Sequence, residues 1–370
     1  MSLFLMAGGG TGGHVIPAIA VARELVKSGH EVLFIGTERG AESRLVPAAG
    51  FRLEFIQVGG LKRLGLATKL ASLWQLATET LRLRRLFSRW KPAAVFSMGG
   101  FVAGPTVLAA LSRGVPVVLM EPNALPGFTN RAIAGRVKRA LVSFEETTRF
   151  FPAGRTEITG LPVREEFFAI GPKPDSPEFT VLITGGSQGS QTLNLAARAA
   201  WPLFVESGLP IRILHQTGAR QTGSASFEAV SQDFSKTGLR GEVSAFIADM
   251  PAAFRQADLI VCRSGAGAVS ELAAAGKPSI LIPFPFAADD HQLKNAQAFE
   301  RAGASILSLD KEWTGGRFFE LVKELYLDPA RVESMAQNAR RLARHGAARR
   351  AADILMHEAI DIASTNRNNK

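Results

Sequence analysis

Between Ala257 and Ala296 the chain reads ADLIVCRSGAGAVSELAAAGKPSILIPFPFAADDHQLKNA. The apolar run Leu259–Cys262 has strand character and stops at Arg263-Ser264-Gly265-Ala266-Gly267. A helical pattern follows from Ala268 to Ala275, closed by Gly276 and Pro278. A strand, a glycine-bearing turn and a helix N-terminus make a phosphate site, because backbone N–H groups point outward and the helix dipole favours negative charge. Glu271 falls within about the first turn of that helix. A carboxylate there gains nothing from a diphosphate, but it accepts both hydroxyls of a ribose. The outline is a nucleoside-diphosphate site, although the same residues also suit plain tight packing of a short helix on a buried strand.

These residues need a scaffold, and the rest of the chain supplies its pattern. Apolar runs alternate with helical patterns at Leu3–Met6, Val32–Ile35, Leu53–Ile56, Ala94–Ser97, Val115–Met120 and Ala140–Ser143. After a proline-rich stretch, Gly171–Pro177, which reads as a linker, the rhythm restarts at Phe179–Thr184, Ile211–His215, Glu242–Phe246, Leu259–Cys262, Ser279–Ile282 and Ala304–Leu307. Strands separated by helices predict parallel sheets covered on both faces. The expected fold is therefore α/β: two tandem doubly wound, Rossmann-like domains with an interdomain cleft, followed by an arginine-rich helical tail over Pro329–Ile362.

Each half opens with a glycine loop after its first strand. The first is Gly8–His14, ahead of a helix over Val15–Val26; the second is Gly185–Gly189, ahead of a helix over Ser190–Val205. Glycine lets the backbone adopt φ > 0 and approach a ligand closely. Gly8, Gly10 and Gly13 satisfy G-x-G-x-x-G, and Glu38 ends the second strand. A dinucleotide-dependent oxidoreductase is the alternative this raises, on a motif that is weak when alone.

Length and composition bound the reading. The 370 residues suit two domains, and 46% hydrophobic with 21% charged residues is an ordinary globular balance. Cys262 is the single cysteine, so a disulfide is not expected and a reducing interior fits. The start, MSLFLMAGGG, reads as a first strand rather than a signal peptide. No apolar run approaches the roughly 20 residues that cross a bilayer. A net charge of +10 favours anionic partners, yet no nucleic-acid-binding motif is present, so no nucleic acid is expected.

The stretch Arg263–Ala266, Glu271, Asp289, Gln292, Asn295 and Ala296 resembles the UDP-binding half of the MurG glycosyltransferases. The resemblance extends over most of the chain: Gly9–His14 with Val15–Ala18, Met98–Pro105, Glu121 with Asn123 and Asn130, Gly160–Arg164, and Gly185–Gly189 with Asn194. It implies a GT-B type fold whose last helix crosses back to the first domain, giving an acceptor- and membrane-facing domain over 1–164 plus about 345–370 and a UDP-sugar domain over 165–344. It also implies inverting transfer of N-acetylglucosamine from UDP-N-acetylglucosamine to the C4 hydroxyl of the muramoyl sugar of lipid I, making lipid II for peptidoglycan. By the same analogy Thr11, Gly12, Gly13, Asn123, Arg164, Ser187, Ile247, Ala266, Gly267, Ala268, Val269, Ser270, Glu271 and Gln292 touch the donor. Arg164 can clamp a phosphate in bidentate fashion. Ser187 can donate to a phosphate oxygen or cap a helix. Gln292 and Asn123 offer the paired donor and acceptor that sugar hydroxyls require, or ordinary capping. The sequence departs from the family at Met120, where a histidine is usual, and at Phe101, where a tyrosine is common. Neither can transfer a proton.

For the base, His14 is the first candidate, since it ends the acceptor-side loop and imidazole titrates near neutrality. Glu121 is the second. With no His/Cys cluster at ligand spacing and no flanked Asp-x-Asp, neither a metal nor a cofactor is expected. A remaining segment, Leu61–Lys91, bears on location. Leu66, Leu70, Leu73, Trp74, Ala77 and Leu81 form one helical stripe, and Leu76, Leu83, Leu86, Phe87 and Trp90 a second. Lys62, Arg63, Arg82, Arg84, Arg85, Arg89 and Lys91 surround them. Either both stripes are core, or apolar side chains ringed by cations, with Lys62, Arg63, Trp74, Arg85, Phe87, Arg89 and Trp90 foremost, dock on anionic inner-leaflet lipids at the cytoplasmic face of the bacterial plasma membrane.

Overall fold

The alternation of strand and helix is present twice over in the computed structural model, which describes residues 1–59 and 66–368. The chain forms two units, residues 1–163 with 344–370, and residues 164–343.

The first unit runs β1 (Leu3–Ala7), α1 (Gly12–Lys27), β2 (Glu31–Gly36), α2 (Glu42–Ala48), β3 (Arg52–Phe55), α3 (Leu66–Trp90), β4 (Ala94–Ser97), α4 (Gly100–Ser112), β5 (Val117–Glu121), α5 (Phe128–Ile133), β6 (Arg139–Val142) and β7 (Thr156–Ile158). The second runs α6 (Glu165–Phe168), β8 (Phe179–Thr184), α7 (Gln191–Ser207), β9 (Ile211–Gln216), α8 (Phe227–Ser235), β10 (Arg240–Ser244), α9 (Met250–Gln256), β11 (Leu259–Cys262), α10 (Ala266–Ala275), β12 (Ser279–Leu281), α11 (His291–Arg301), β13 (Ser305–Leu307), α12 (Gly315–Leu327) and α13 (Pro329–Leu342). The last helix, α14 (Ala347–Asn368), returns to the first unit, where it packs on α1 and β4.

Among the described residues, the sheet of the first unit has the order β3-β2-β1-β4-β5-β6-β7 and that of the second β10-β9-β8-β11-β12-β13, with every pairing parallel. Each order reverses direction once, between β1 and β4 and between β8 and β11. Loops leaving the carboxyl ends of strands on either side of such a reversal diverge and open a crevice, which is where ligands settle in open α/β sheets. The loops concerned are those holding Gly8–Gly13, Met98–Gly99, Gly185–Gly189 and Arg263–Gly265.

The strands read as near-continuous apolar runs because both faces are covered. Leu5, Ile35, Val95 and Leu119 anchor the first core with Val102 and Val107 of α4. Val181, Ile213, Val261 and Ile280 anchor the second with Trp201, Phe204 and Phe318.

Several expectations need correction. The proline-rich stretch Gly171–Pro177 lies inside the second unit, where Lys173 pairs with Asp258 and donates to the Glu178 carbonyl at 2.6 Å. The tail is two helices, broken at residues 343–346, where Gly346 has φ +73°. Strand β7 is short and half-buried, so it carries little apolar signal. Helix α10 begins at Ala266 rather than Ala268, which puts Glu271 beyond the first turn.

Candidate functional site

In the second unit, the glycine loop after β8 turns on Gly186 and Gly189, whose φ values are +82° and +79°. A side chain on Gly189 would strike the Thr217 carbonyl at 2.0 Å, and one on Gly218 would meet the Gly189 nitrogen at 2.1 Å. Two loops therefore lie backbone on backbone, a contact that only glycine permits. Ser187 is exposed at the loop's tip, and its carbonyl accepts from Ala219 N–H at 3.2 Å. It is not the helix cap: Ser190 is, accepting from Leu193 N–H.

The second arm of the site is α10. Its N-cap is Gly265, which has no side chain to satisfy the first N–H groups. Those donors and the helix dipole are thus available to an anion. Ala266, Gly267, Ala268 and Ser270 are half-buried at this end. Val269 is fully buried in the core, so only its main chain can serve a ligand. Glu271 is half-buried on the same helix; burial pushes its carboxyl up to about 7, opposed by the nearby charge of Arg164. Arg164 is exposed, and its guanidinium lies 4.9 Å from the centroid of Phe167, itself edge-on to Phe254. Stacking of this kind holds the plane of an arginine while leaving its N–H fork for a phosphate.

Gln292 sits at the start of α11. Its Oε1 accepts from Phe284 N–H at 3.0 Å, and its carbonyl accepts from Ser264 Oγ at 2.8 Å. Asn295 donates to the Ser264 carbonyl at 3.1 Å, so α11 is stitched to the turn that precedes α10. Asp289 and Asp290, just ahead, have φ of 53° and 52°. Consecutive non-glycine residues in the left-handed region store strain of the kind found around ligand sites.

Arg263, quoted in the sequence as part of a motif, is a tie rather than a ligand. It donates to the Ile282 and Pro283 carbonyls at 3.2 Å, pairs with Asp310, donates to Ser190 Oγ at 2.7 Å, and lies over Phe284. One side chain thereby binds three loop ends around the crevice. Gln216 makes a comparable link: it donates to Thr184 Oγ1 at 3.0 Å and accepts from Ile247 N–H at 2.9 Å. Neither role was visible in sequence, because both depend on strands distant in the chain.

In the first unit, Thr11 caps α1 without a side-chain bond, leaving the main chain of Gly12 and Gly13 at an open helix start. The loop is pinned from behind by Glu42, fully buried, which accepts from Gly10 N–H, Thr37 N–H and Thr37 Oγ1, each at 2.8 Å. A side chain on Gly9 would lie 2.3 Å from that carboxylate. Sequence reading missed Glu42; a lone acid at the start of a short helix carries no periodic signal. His14 is half-buried, with Nδ1 at 3.2 Å from the Gly9 carbonyl. A carbonyl only accepts, so Nδ1 carries the proton and Nε2 is the basic nitrogen of the neutral ring.

Glu121, the second candidate for the base, is held inside a network of donors. It is 1% exposed and accepts from Asn123 N–H and Nδ2, Gly127 N–H and Asn130 Nδ2, the last at 2.8 Å. Burial raises its pKa, and the four donors oppose that rise. Asn130 in turn fills the space beside Gly99, where an added Cβ would be 2.4 Å from its Oδ1, and Gly100 abuts the His14 ring. The carboxylate so fixes the loop against which His14 rests. Met120 is fully buried and does not reach the site, whereas Phe101 is 45% exposed. With Thr11, Glu38, Arg39, Gln57 and Gln75, Phe101 lines a cavity of about 990 Å³ within this unit. Among the described residues, no group of three or more His, Cys, Asp or Glu side chains could hold a metal ion.

Helix α3 separates the two apolar stripes. Leu83 and Phe87 are buried and Trp90 packs half-buried against the same core, so Phe87 and Trp90 are not surface contacts, contrary to expectation. Leu73, Trp74 and Leu81 are 50%, 72% and 55% exposed, forming an exposed face with Ala77. Arg85 and Arg89 are exposed, while Arg82 is paired with Glu54 and Glu79. Lys62 and Arg63, with the side chains of Leu66 and Leu70, lie outside the described residues. Among the described residues, no helix is long and apolar enough to cross a membrane.

The model of the glycosyltransferase family 28 N-terminal domain matches residues 4–142, and that of the family 28 C-terminal domain matches residues 180–354. The chain is 62% identical over 352 residues to the UDP-N-acetylglucosamine--N-acetylmuramyl-(pentapeptide) pyrophosphoryl-undecaprenol N-acetylglucosamine transferase of Solibacter usitatus (strain Ellin6076), covering 95% of each. It is 40% identical over 358 residues to the protein of the same name from Myxococcus xanthus (strain DK1622), covering 96% of this chain and 92% of that one. Among solved structures, Acinetobacter baumannii MurG matches with a TM-score of 0.79 at 32% identity, over 96% of this chain and 100% of that one.

Proposed function

The chain belongs to glycosyltransferase family 28, and we infer that it moves N-acetylglucosamine from UDP-N-acetylglucosamine to the C4 hydroxyl of the muramoyl sugar of lipid I, forming lipid II for peptidoglycan. The observation that carries the donor reading is the uncapped N-terminus of α10 with Glu271 on the same helix and Arg164 nearby. We assign the diphosphate to that N-terminus, to Ser187 and to Arg164. The ribose hydroxyls go to Glu271, the uracil to the main chain around Ile247, and the sugar to Gln292.

In the first unit we assign Thr11, Gly12, Gly13 and Asn123 to the donor, as the resemblance implies, and acceptor binding to the cavity beside Thr11, which is lined by both polar and apolar groups as an amphipathic acceptor requires. His14 Nε2 takes the proton from the C4 hydroxyl as that oxygen attacks the anomeric carbon. The bond from that carbon to the diphosphate oxygen breaks on the opposite face, which inverts the configuration. Negative charge develops on the departing UDP, where oriented N–H groups and a guanidinium stabilise it most.

The acceptor carries a long lipid, so the enzyme works at a membrane. The exposed face of α3, Leu73, Trp74, Ala77 and Leu81 with Arg85 and Arg89 nearby, is the surface we assign to anionic lipid at the cytoplasmic face of the plasma membrane. Basic residues near such a surface contribute roughly 1 kcal/mol each. Formation of the disaccharide product from UDP-N-acetylglucosamine and a short-chain lipid I analogue tests the reading.

A further inference from the structure

Donor binding as assigned above requires two loops of the second unit to be the right distance apart, one for the phosphates and one for the base. We propose that Gln216 is the positioning residue that sets this distance. The inference rests on the donor reading and adds to it a residue that touches no substrate.

Gln216 ends β9 and is 1% exposed. Strand β9 lies between β8 and β10, so its carboxyl end stands between the glycine loop after β8 and the loop carrying Ile247 after β10. The side-chain amide spans both. Its Oε1 faces Ile247 N–H at 2.9 Å, and since that group only donates, the orientation of the amide is fixed. Its Nε2 then donates to Thr184 Oγ1 at 3.0 Å. The same hydroxyl oxygen accepts from Gly186 N–H, also at 3.0 Å, inside the glycine loop. One buried amide thus ties the main chain of the base loop to the main chain of the phosphate loop.

The segment after Gln216 continues the template. Gly218 lies against Gly189, Ala219 N–H donates to the Ser187 carbonyl at 3.2 Å, and Gln221 Nε2 donates to the Gln188 carbonyl at 2.9 Å. The glycine loop is therefore cast against residues 216–221, and only Gln216 among these carries the tie to Ile247 through its side chain. A ligand with a base and a diphosphate feels this spacing at both ends. A ligand lacking the β-phosphate feels it much less.

The test uses the full-length protein and isothermal titration with UDP and with UMP, alongside steady-state kinetics. Gln216→Leu removes both bonds at similar volume. The expected result is a UDP dissociation constant and a donor KM raised about tenfold, since a buried neutral hydrogen bond is worth about that factor. UMP affinity should change less than about threefold and kcat should stay within about threefold. Thr184→Val should reproduce the defect and be non-additive with Gln216→Leu, while Thr184→Ser, which keeps the hydroxyl, should restore affinity. The Thr184 series also serves if Gln216→Leu fails to fold. Unchanged UDP affinity, an equal loss for UDP and UMP, or full additivity overturns the proposal, because each is what a purely structural amide produces. Wild-type protein that does not bind UDP would instead sink the donor reading itself.

Discussion

Replacing Glu271 by glutamine should weaken the enzyme and strengthen its fold at the same time. Burial raises this carboxyl from its ordinary 4.5 to about 7. The folded protein therefore holds the proton more tightly than the unfolded chain, and ionising the group costs stability. That cost is absent below about pH 4.5, grows as pH rises towards 7, and is constant above. Two and a half units at 1.36 kcal/mol each give about 3 kcal/mol at pH 8, falling below about 1 kcal/mol at pH 5. Glutamine cannot ionise and escapes this cost. At roughly 2–4 °C per kcal/mol for a domain of this size, Glu271→Gln should melt roughly 6–12 °C higher than wild type at pH 8. The ribose, however, loses a hydrogen bond to a charged acceptor, worth about 1.5–3 kcal/mol, so the donor KM should rise by about one to two orders of magnitude. Scanning calorimetry at pH 5 and pH 8, paired with donor titrations, measures both. A variant no more stable than wild type at pH 8, or equally stabilised at both pH values, would refute the reasoning.

Three further outcomes follow from the geometry. His14→Ala should lower kcat by about 10²–10⁴ while the UDP dissociation constant, read by titration, stays near wild type; an unchanged kcat removes His14 from the chemistry. Glu121→Gln leaves buried donors of the loop 123–130 without an acceptor and should lower stability by about 1–3 kcal/mol for each. The pH dependence of its residual kcat should keep the wild-type shape, whereas loss of the fall on the acid side, which reports the group that must be deprotonated, would restore Glu121 as the base. Trp74→Ser with Leu81→Ser should reduce binding to vesicles containing phosphatidylglycerol several-fold without moving the melting temperature; intact vesicle binding would clear α3 of that role.

Much of this arrangement was legible because glycine and apolar runs report on local geometry. The loops at Gly8–Gly13 and Gly185–Gly189, the turn at Arg263–Gly265 and the alternation of strand and helix all show in short windows of sequence. What stayed hidden depends on partners far apart in the chain. Glu42 was invisible because its job, bonding Gly10 and Thr37, exists only once β1 and β2 are side by side. Arg263 looked like part of a phosphate motif until Asp310 and Ser190 were brought against it. Met120 invited concern as a substitution in a functional motif, but β5 is buried at every position, Met120 included. On α3 the periodicity gave two apolar stripes correctly and could not say which one α4 covers. The assignment of Phe87 and Trp90 to the surface failed for that reason.

The central claim is tested most directly by incubating the purified full-length protein with UDP-N-acetylglucosamine and a short-chain lipid I analogue, with and without EDTA, and following products by mass. The account predicts one disaccharide-bearing lipid for each UDP released, at a rate that EDTA leaves unchanged. UDP release without disaccharide would contradict the acceptor assignment, and no release of UDP at all would contradict the transferase reading as a whole.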